Sequence, residues 1–393
     1  MKILISPDSF KGSLSAENVA KHIERGIKSV KDDADTLRIP MADGGEGTLE
    51  TLVTATNGKI EKVLVNDPLG RRINGHFGII GNEKTAVIEL AVASGLPLLT
   101  SKELNPAIAS TFGTGQLIKD ALGKGIRSFI ICLGGSATND GGTGILKALG
   151  YRFLDRERNE LKSGGLALKD LSIIDDTYVD ERVKEAHFQI ACDVSNPLIG
   201  PNGASHVFGP QKGALPELVN QLDQALRVFA DVVYRKTGKQ IHNLEGGGAA
   251  GGTAAGLYAF CQTEMRPGVE LMIETLNLST LFHEQQFDLI ITGEGKLDEQ
   301  TAYGKVVSGI TKLSKQYKVP IIAIAGTVEG DITPLHELGL TAAFSIINGP
   351  MDLETAFAET GKLIEKTTEQ LFRLFIRQGK SNIGTDNSYL YVP

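Results

Sequence analysis

Cysteine is scarce in this chain: Cys132, Cys192 and Cys261 are odd in number, far apart and each set in an apolar run. They form no CxxC pair, no HExxH occurs, and the seven histidines stand singly. A disulfide framework and a structural zinc site are thereby excluded, and the thiols read as small core residues in a reducing compartment. Long apolar runs are also missing, for nothing approaches the ~18 uncharged residues that a membrane span requires. The start, MKILISPDSF, has neither a basic segment nor a long apolar stretch, so no signal peptide is expected and the expected location is cytoplasmic. A basic excess is lacking as well. With 40 Lys and Arg against 47 Asp and Glu the net charge is −7, which argues against nucleic acid or an anionic membrane as partner. An anionic substrate would have to be held by local Arg and Lys. Several signatures are absent too: GxxxxGKS or GxxxxGKT, HRD with DFG, a first-strand GxGxxG, and GxSxG. These absences exclude a P-loop NTPase and a protein kinase, and count against a dinucleotide-binding start.

What the chain has in abundance is glycine, 46 of 393 residues against a usual share of roughly 7%. Much of it clusters in a few loops, where backbone approaches a ligand or another backbone closely. At this length two domains are expected. Short apolar runs at 3–6, 129–133, 188–192, 289–292, 321–325 and 343–347 read as buried parallel strands, each ending in glycine or a small polar residue. Helical stripes lie between them: Ser15 is placed to cap a helix with Val19, Ala20, Ile23 and Ile27 on one face. Residues 59–90 instead read as hairpin strands with turns at NDPLG and GNEK. The fold class expected is α/β: an open, mainly parallel Rossmann-like sheet domain, interrupted by a second mixed α/β domain with antiparallel hairpin strands. The expected boundaries are 1–55 plus 285–380 for the first domain, 56–284 for the inserted one and 381–393 for a tail.

Five loops carry polar groups directly after a strand-like run, the edge at which open α/β sheets bind ligands. In PDSFKGSLSA, Asp8, Ser9 and Lys11 precede a helix start that favours an anion. In PMADGGEGT, Asp43 and Glu46 flank a glycine pair and suit Mg²⁺ or substrate hydroxyls. LGGSATNDGGTG offers Gly134, Gly135, Ser136, Thr138, Asn139, Gly141 and Gly142 as a phosphate cradle, with Asp140 in reach of a metal. ACDVSNPLIGPNGA puts Asp193 at a strand end, placed as a general base or metal ligand, or as an Asx-turn. TGEGKLDEQTAYGKV brings Glu294, Asp298, Thr301 and Lys305 together, which looks like a metal–phosphate site or an exposed helix start. Arg71 and Arg266, in Pro/Gly-rich loops, are candidates for a substrate carboxylate, although most arginines are simply solvated. The glycine-dense 246–256 permits very close packing or ligand approach, and 109–116 sets Ser110, Thr111 and Thr114 before a helix.

These five motifs, in this order, resemble the bacterial type I glycerate kinase family over residues 1 to about 375. The resemblance implies MgATP-dependent phosphorylation of D-glycerate, commonly at the 2-hydroxyl, on a two-domain fold. ATP and Mg²⁺ are the cofactors it implies, and a homodimer is compatible with it. The chemistry of phosphoryl transfer divides the candidates further. Asp193, Lys11 and Glu294 are taken as catalytic; Asp8, Ser9, Asp43, Arg71 and Arg266 as substrate-binding; Lys305 and the 134–142 loop as nucleotide-binding; and Asp43, Asp140 and Asp298 as metal ligands. An NAD-dependent hydroxy-acid dehydrogenase and a non-enzymatic small-molecule sensor are the rival readings.

Overall fold

In a computed structural model of the chain, residues 1–81, 83–302 and 304–381 are described. The expected tail lies outside the described residues from 382 onward. Among the described residues there are thirteen strands: β1 (Lys2–Ile5), β2 (Asp35–Arg38), β3 (Lys59–Asn66), β4 (Arg72–Ile80), β5 (Thr85–Glu89), β6 (Ser128–Cys132), β7 (Arg152–Leu154), β8 (Ile173–Asp175), β9 (His187–Ala191), β10 (Gln262–Arg266), β11 (Leu289–Leu297), β12 (Ile321–Val328) and β13 (Ala342–Ser345). They form two compact units. One comprises Met1–Met41 with the chain from Leu278 onward, and the other is Ala42–Asn277. The loop at 43–47 and the helix Thr48–Ala55 therefore belong to the second unit.

The first unit is a five-stranded sheet in the order β13-β12-β11-β1-β2, parallel throughout. Such a sheet is covered on both faces, so its central strands are continuous apolar runs. KILI and LIIT are of that kind, paired Ile3 to Leu289 and Ile5 to Ile291. Ser15 caps the helix Ala16–Lys28 through its side-chain oxygen, and Val19, Ala20, Ile23 and Ile27 face the core beside Ile3, Ile5, Leu289 and Phe372. Gly26 lets that helix meet Leu353–Ser381 closely: a Cβ there would lie 2.7 Å from the Glu365 carbonyl oxygen and from Thr368 Cβ.

The second unit carries a six-stranded sheet in the order β10-β9-β6-β5-β4-β3. β5, β6, β9 and β10 are parallel, while β4 and β3 add the antiparallel hairpin expected from the turns at 59–90. β7 and β8 pair separately. Phe129 and Phe188 stack across β6 and β9 with ring centroids 4.8 Å apart, inside a core that includes Phe77, Leu117, Leu146, Phe153 and Phe229. Parallel register sets Glu89, Cys132, Ala191 and Arg266 side by side at the C-terminal end of the four parallel strands. Among the described residues no helix is long and apolar enough to cross a membrane.

Candidate active site

In the first unit the candidate side chains collect just after β1 and along the C-terminal half of β11. The Asp8 N–H donates to the Gly293 carbonyl at 2.8 Å, so Asp8 and Glu294 emerge from adjacent strands. Both are buried, 4% and 6% exposed, which is rare for carboxylates without partners. One Asp8 oxygen accepts the Ser9 N–H at 2.6 Å, and Glu294 accepts the Thr301 hydroxyl, also at 2.6 Å. Gly295 lies against the backbone of Phe10 and Lys11, and the side chain of Lys11 is exposed. Lys305 stands at the N-terminus of helix Val306–Tyr317, so an ammonium and a helix dipole favour an anion at the same place. Asp298 caps its own turn by accepting the Gln300 N–H at 3.0 Å, and it faces Lys296 at 3.5 Å and Lys305 at 4.0 Å. Lys296 and Lys305 thus balance the charge of Asp298.

In the second unit four strand ends and one loop converge. Gly44 lies over Ala191, where a Cβ would be only 2.5 Å from the alanine's own, and Gly268 lies against the Asp43 carbonyl, where a Cβ would be 2.0 Å away. Only glycine permits these approaches, and they set Asp43 beside Asp193 and the turn after β10. Asp43 accepts the Gly45 N–H at 3.1 Å, and Asp193 accepts the Gly268 N–H at 2.8 Å, at the start of helix Gly268–Thr275. Gly134 packs on Gly45, with its Cβ position 3.0 Å from the Gly45 Cα. Cys132 lies beneath them. Burial and the nearby Glu89, Asp43 and Asp193 carboxylates push its thiol well above the ordinary range, so it is an inert core group.

Glu89 is the residue the sequence did not announce. Its carboxylate accepts the Leu49 N–H at 2.9 Å and is also hydrogen-bonded by the Gly47 N–H, tying down the start of helix Thr48–Ala55 and the loop before it. Burial raises its pKa, a tendency opposed by the two N–H groups. The signal available was a lone acid closing the apolar run TAVIE, which is an odd place for a charge unless backbone donors meet it.

The loop at 134–144 divides in two. Gly134 and Gly135 are exposed, while Ser136, Thr138, Asn139, Asp140, Gly141 and Gly142 are buried. Asp140 is fully enclosed, and its carboxylate accepts N–H groups from Thr111 at 2.8 Å, Gly142 at 3.1 Å and Gly144 at 3.2 Å. Gly141 N–H donates to the Gly251 carbonyl at 3.0 Å, and a Cβ on Gly256 would lie 2.0 Å from the Gly141 carbonyl. The glycines of 246–256 thus pack on those of 138–142, and backbone meets backbone. Thr111 and Thr114 are spent internally as well, on Asp140 and Ser94. The expected cradle through Gly142 and the expected metal on Asp140 fall where the Asp140 carboxylate and the Gly141, Gly142 and Gly144 N–H groups are hydrogen-bonded within the protein. Arg71 is similarly engaged: it donates to Asp67 at 2.5 Å, to Glu103 at 2.6 Å and to the Leu98 carbonyl at 3.3 Å. Arg266 is paired with Glu274. Among the described residues, no group of three or more His, Cys, Asp or Glu is placed to hold a metal ion.

The chain is similar to known proteins along most of its length. The model of the glycerate kinase family matches residues 3–376. Glycerate kinase of Bacillus subtilis strain 168 is 46% identical over 371 residues, covering 94% of this chain and 97% of that protein. Glycerate 2-kinase of Escherichia coli K12 is 43% identical over 357 residues, covering 91% and 93%. A crystal structure of a candidate glycerate kinase 2 from Salmonella typhimurium LT2 superposes with a TM-score of 0.86 at 44% identity, covering 97% of this chain and 99% of that one. Matched along nearly its whole described length in sequence and in fold, the chain belongs to the glycerate kinase family.

Proposed function

We propose that this kinase transfers the γ-phosphoryl group of ATP to the 2-hydroxyl of D-glycerate, giving 2-phosphoglycerate and ADP, with Mg²⁺ as the accompanying ion. The observation that carries the reading is the set of carboxylates at strand ends, Asp8 with Glu294 in one unit and Asp43 with Asp193 in the other. Phosphoryl transfer passes through a loose transition state, so the protein's task is positioning and charge stabilisation. Asp193, held by the Gly268 N–H, orients the attacking hydroxyl and takes its proton late in the reaction. Lys11 and Lys305 supply positive charge to phosphoryl oxygens, and the exposed Gly134–Gly135 turn offers backbone N–H groups to a substrate anion.

Mg²⁺ bound with a nucleotide takes one or two carboxylates and fills its other positions with phosphate and water. A three-carboxylate cluster is therefore unnecessary, and Asp43, in a loop tied by Glu89, fits that requirement. The ion would neutralise charge on the phosphates. Asp8 and Glu294, buried at a strand end, hold substrate hydroxyls or the ion's water shell.

The test mixes the protein with ATP, Mg²⁺ and D-glycerate, follows ADP, and identifies the product by NMR. ADP release that depends on D-glycerate, stops with EDTA and accompanies 2-phosphoglycerate is the expected result. Turnover unaffected by EDTA, or 3-phosphoglycerate as product, refutes the corresponding part.

A further inference from the structure

Lys212 is the buried cation that none of this chemistry has used. It ends the short 3₁₀ turn Pro210–Lys212 and is 1% exposed. Its backbone is pinned, because Gly213 follows at φ +92° with its Cβ position 2.5 Å from the Leu104 carbonyl oxygen. The Nζ donates to the Ser136 hydroxyl at 2.8 Å and to the Thr138 carbonyl at 2.6 Å. These acceptors belong to the two residues that begin the enclosed half of the loop, directly behind the exposed Gly134–Gly135 pair. Asp140 acts on the ammonium only through a longer-range charge interaction. Beside it, Thr138 Oγ1 and Asn139 Oδ1 are buried without a hydrogen-bond partner.

Burying an ammonium without a contacting carboxylate costs several kcal/mol, and a methionine would fill the same space at no such cost. The lysine's bonds converge on one feature, the turn whose exposed side is all glycine. From beneath, its charge also makes the outward face of that turn more favourable to a negative group, in a medium where screening by water is weak. We infer that Lys212 is a positioning residue for an anion-binding turn at Gly134–Gly135: it fixes the turn and lends positive potential to a carboxylate or phosphoryl oxygen seated on it. The inference rests on the reading above that this turn faces a substrate anion.

Lys212→Met and Ser136→Ala, each in the full chain, test it with steady-state kinetics in which ATP and D-glycerate are varied separately. The expected result for Lys212→Met is a KM raised roughly 10- to 100-fold, the equivalent of losing hydrogen bonds made by a charged group. It falls on one substrate, with kcat changed less than threefold and a cooperative melt retained. ATP as the affected substrate assigns the turn to phosphate, and D-glycerate assigns it to carboxylate. Ser136→Ala, which removes one of the two acceptors and leaves the cation, should move the same KM by a smaller factor. A folded Lys212→Met with both KM values unchanged overturns the inference; should that variant not fold, unchanged KM values in Ser136→Ala overturn it. Gly135→Val separates the two layers. If it raises a KM that the other variants leave alone, the turn stands and the role of Lys212 fails. If it alters neither KM, the turn reading itself fails and the inference falls with it.

Discussion

Removing the Glu89 carboxylate should unfasten the loop that carries Asp43. In Glu89→Ala two backbone N–H groups, of Gly47 and Leu49, lose their acceptor at a site only 8% exposed. An unsatisfied buried donor costs about 1–3 kcal/mol, so the pair and the small cavity together give a loss of roughly 2–5 kcal/mol. Glu89→Gln behaves differently. It keeps one acceptor oxygen and relieves the desolvation that raises the carboxyl pKa, so its stability should stay within about 1 kcal/mol of wild type at neutral pH. The sign of its pH dependence follows. A carboxyl whose folded pKa lies above its ordinary 4.5 contributes stability that is fully present below that value and lost as pH rises through the folded pKa. Wild type should therefore lose stability relative to Glu89→Gln as pH climbs above 4.5. For catalysis, a shift of about 1 Å in a positioned group typically costs ~10², and Glu89→Ala should lower kcat/KM by about that factor. Denaturant melts at several pH values, with steady-state rates on the same samples, measure both. A folded Glu89→Ala enzyme with kcat/KM within twofold of wild type would falsify the idea that Glu89 positions the Asp43 loop.

Asp193→Asn is nearly isosteric and retains an acceptor for the Gly268 N–H; it should leave substrate KM values in place and lower kcat by roughly 10²–10⁴. Weakened Mg²⁺ dependence with intact kcat would make Asp193 a metal ligand instead. Gly26→Ala inserts a methyl 2.7 Å from the Glu365 carbonyl oxygen and should destabilise the first unit by about 1–3 kcal/mol, seen as a lower denaturation midpoint; an unchanged midpoint means the two helices separate freely. Lys212, held down to about 7 by burial, binds its proton less tightly folded than unfolded, so stability should rise with pH from 7 towards 10.5. Relative to Lys212→Met the gain is up to about 1.4 kcal/mol per pH unit, and parallel pH–stability curves for the two proteins refute it.

Much of the fold was legible because buried parallel strands announce themselves. KILI, SFIIC and LIIT are almost wholly apolar, HFQIA buries Phe188, Ile190 and Ala191, and the hairpin at 59–90 is marked by its turns. The strands that escaped notice are β2, DTLR, and β10, QTEMR, each at a sheet edge, and the short separate pair β7 and β8. One face of an edge strand meets solvent, so charge there is tolerated and the apolar signal is lost. The candidate site reads in the sequence as a set of loops after strands: Asp8 and Asp193 follow β1 and β9, Asp43 lies in the loop after β2, and Glu294 lies within β11. Within the third loop the sequence leaves two meanings open, because glycine marks close approach without saying whether a ligand or another backbone is approaching. For Gly141 and Gly142 the neighbour is the segment 250–256, more than a hundred residues away, which no local pattern reveals. Glu89 and Lys212 were hidden for a related reason. A lone charge in an apolar or glycine-rich stretch gains meaning only when its partners, Leu49 for one and Ser136 for the other, are brought to it by the fold.

The pairing of β1 with β11 has a consequence for how the chain is made. Ile3 and Leu289, register partners near the middle of a sheet, leave the ribosome about 286 residues apart, which at roughly 5–20 residues per second is some 15–60 seconds. Through that interval the first strand has only β2 as a neighbour, and by its end everything needed for the 42–277 unit has been synthesised. We expect vectorial assembly, in which the 42–277 unit is completed first and the segment 1–41, with its apolar strand β1, waits for β11 to be synthesised. Protease digestion of nascent chains arrested near residue 277 would read this order as a resistant 42–277 core with a cleavable leading segment.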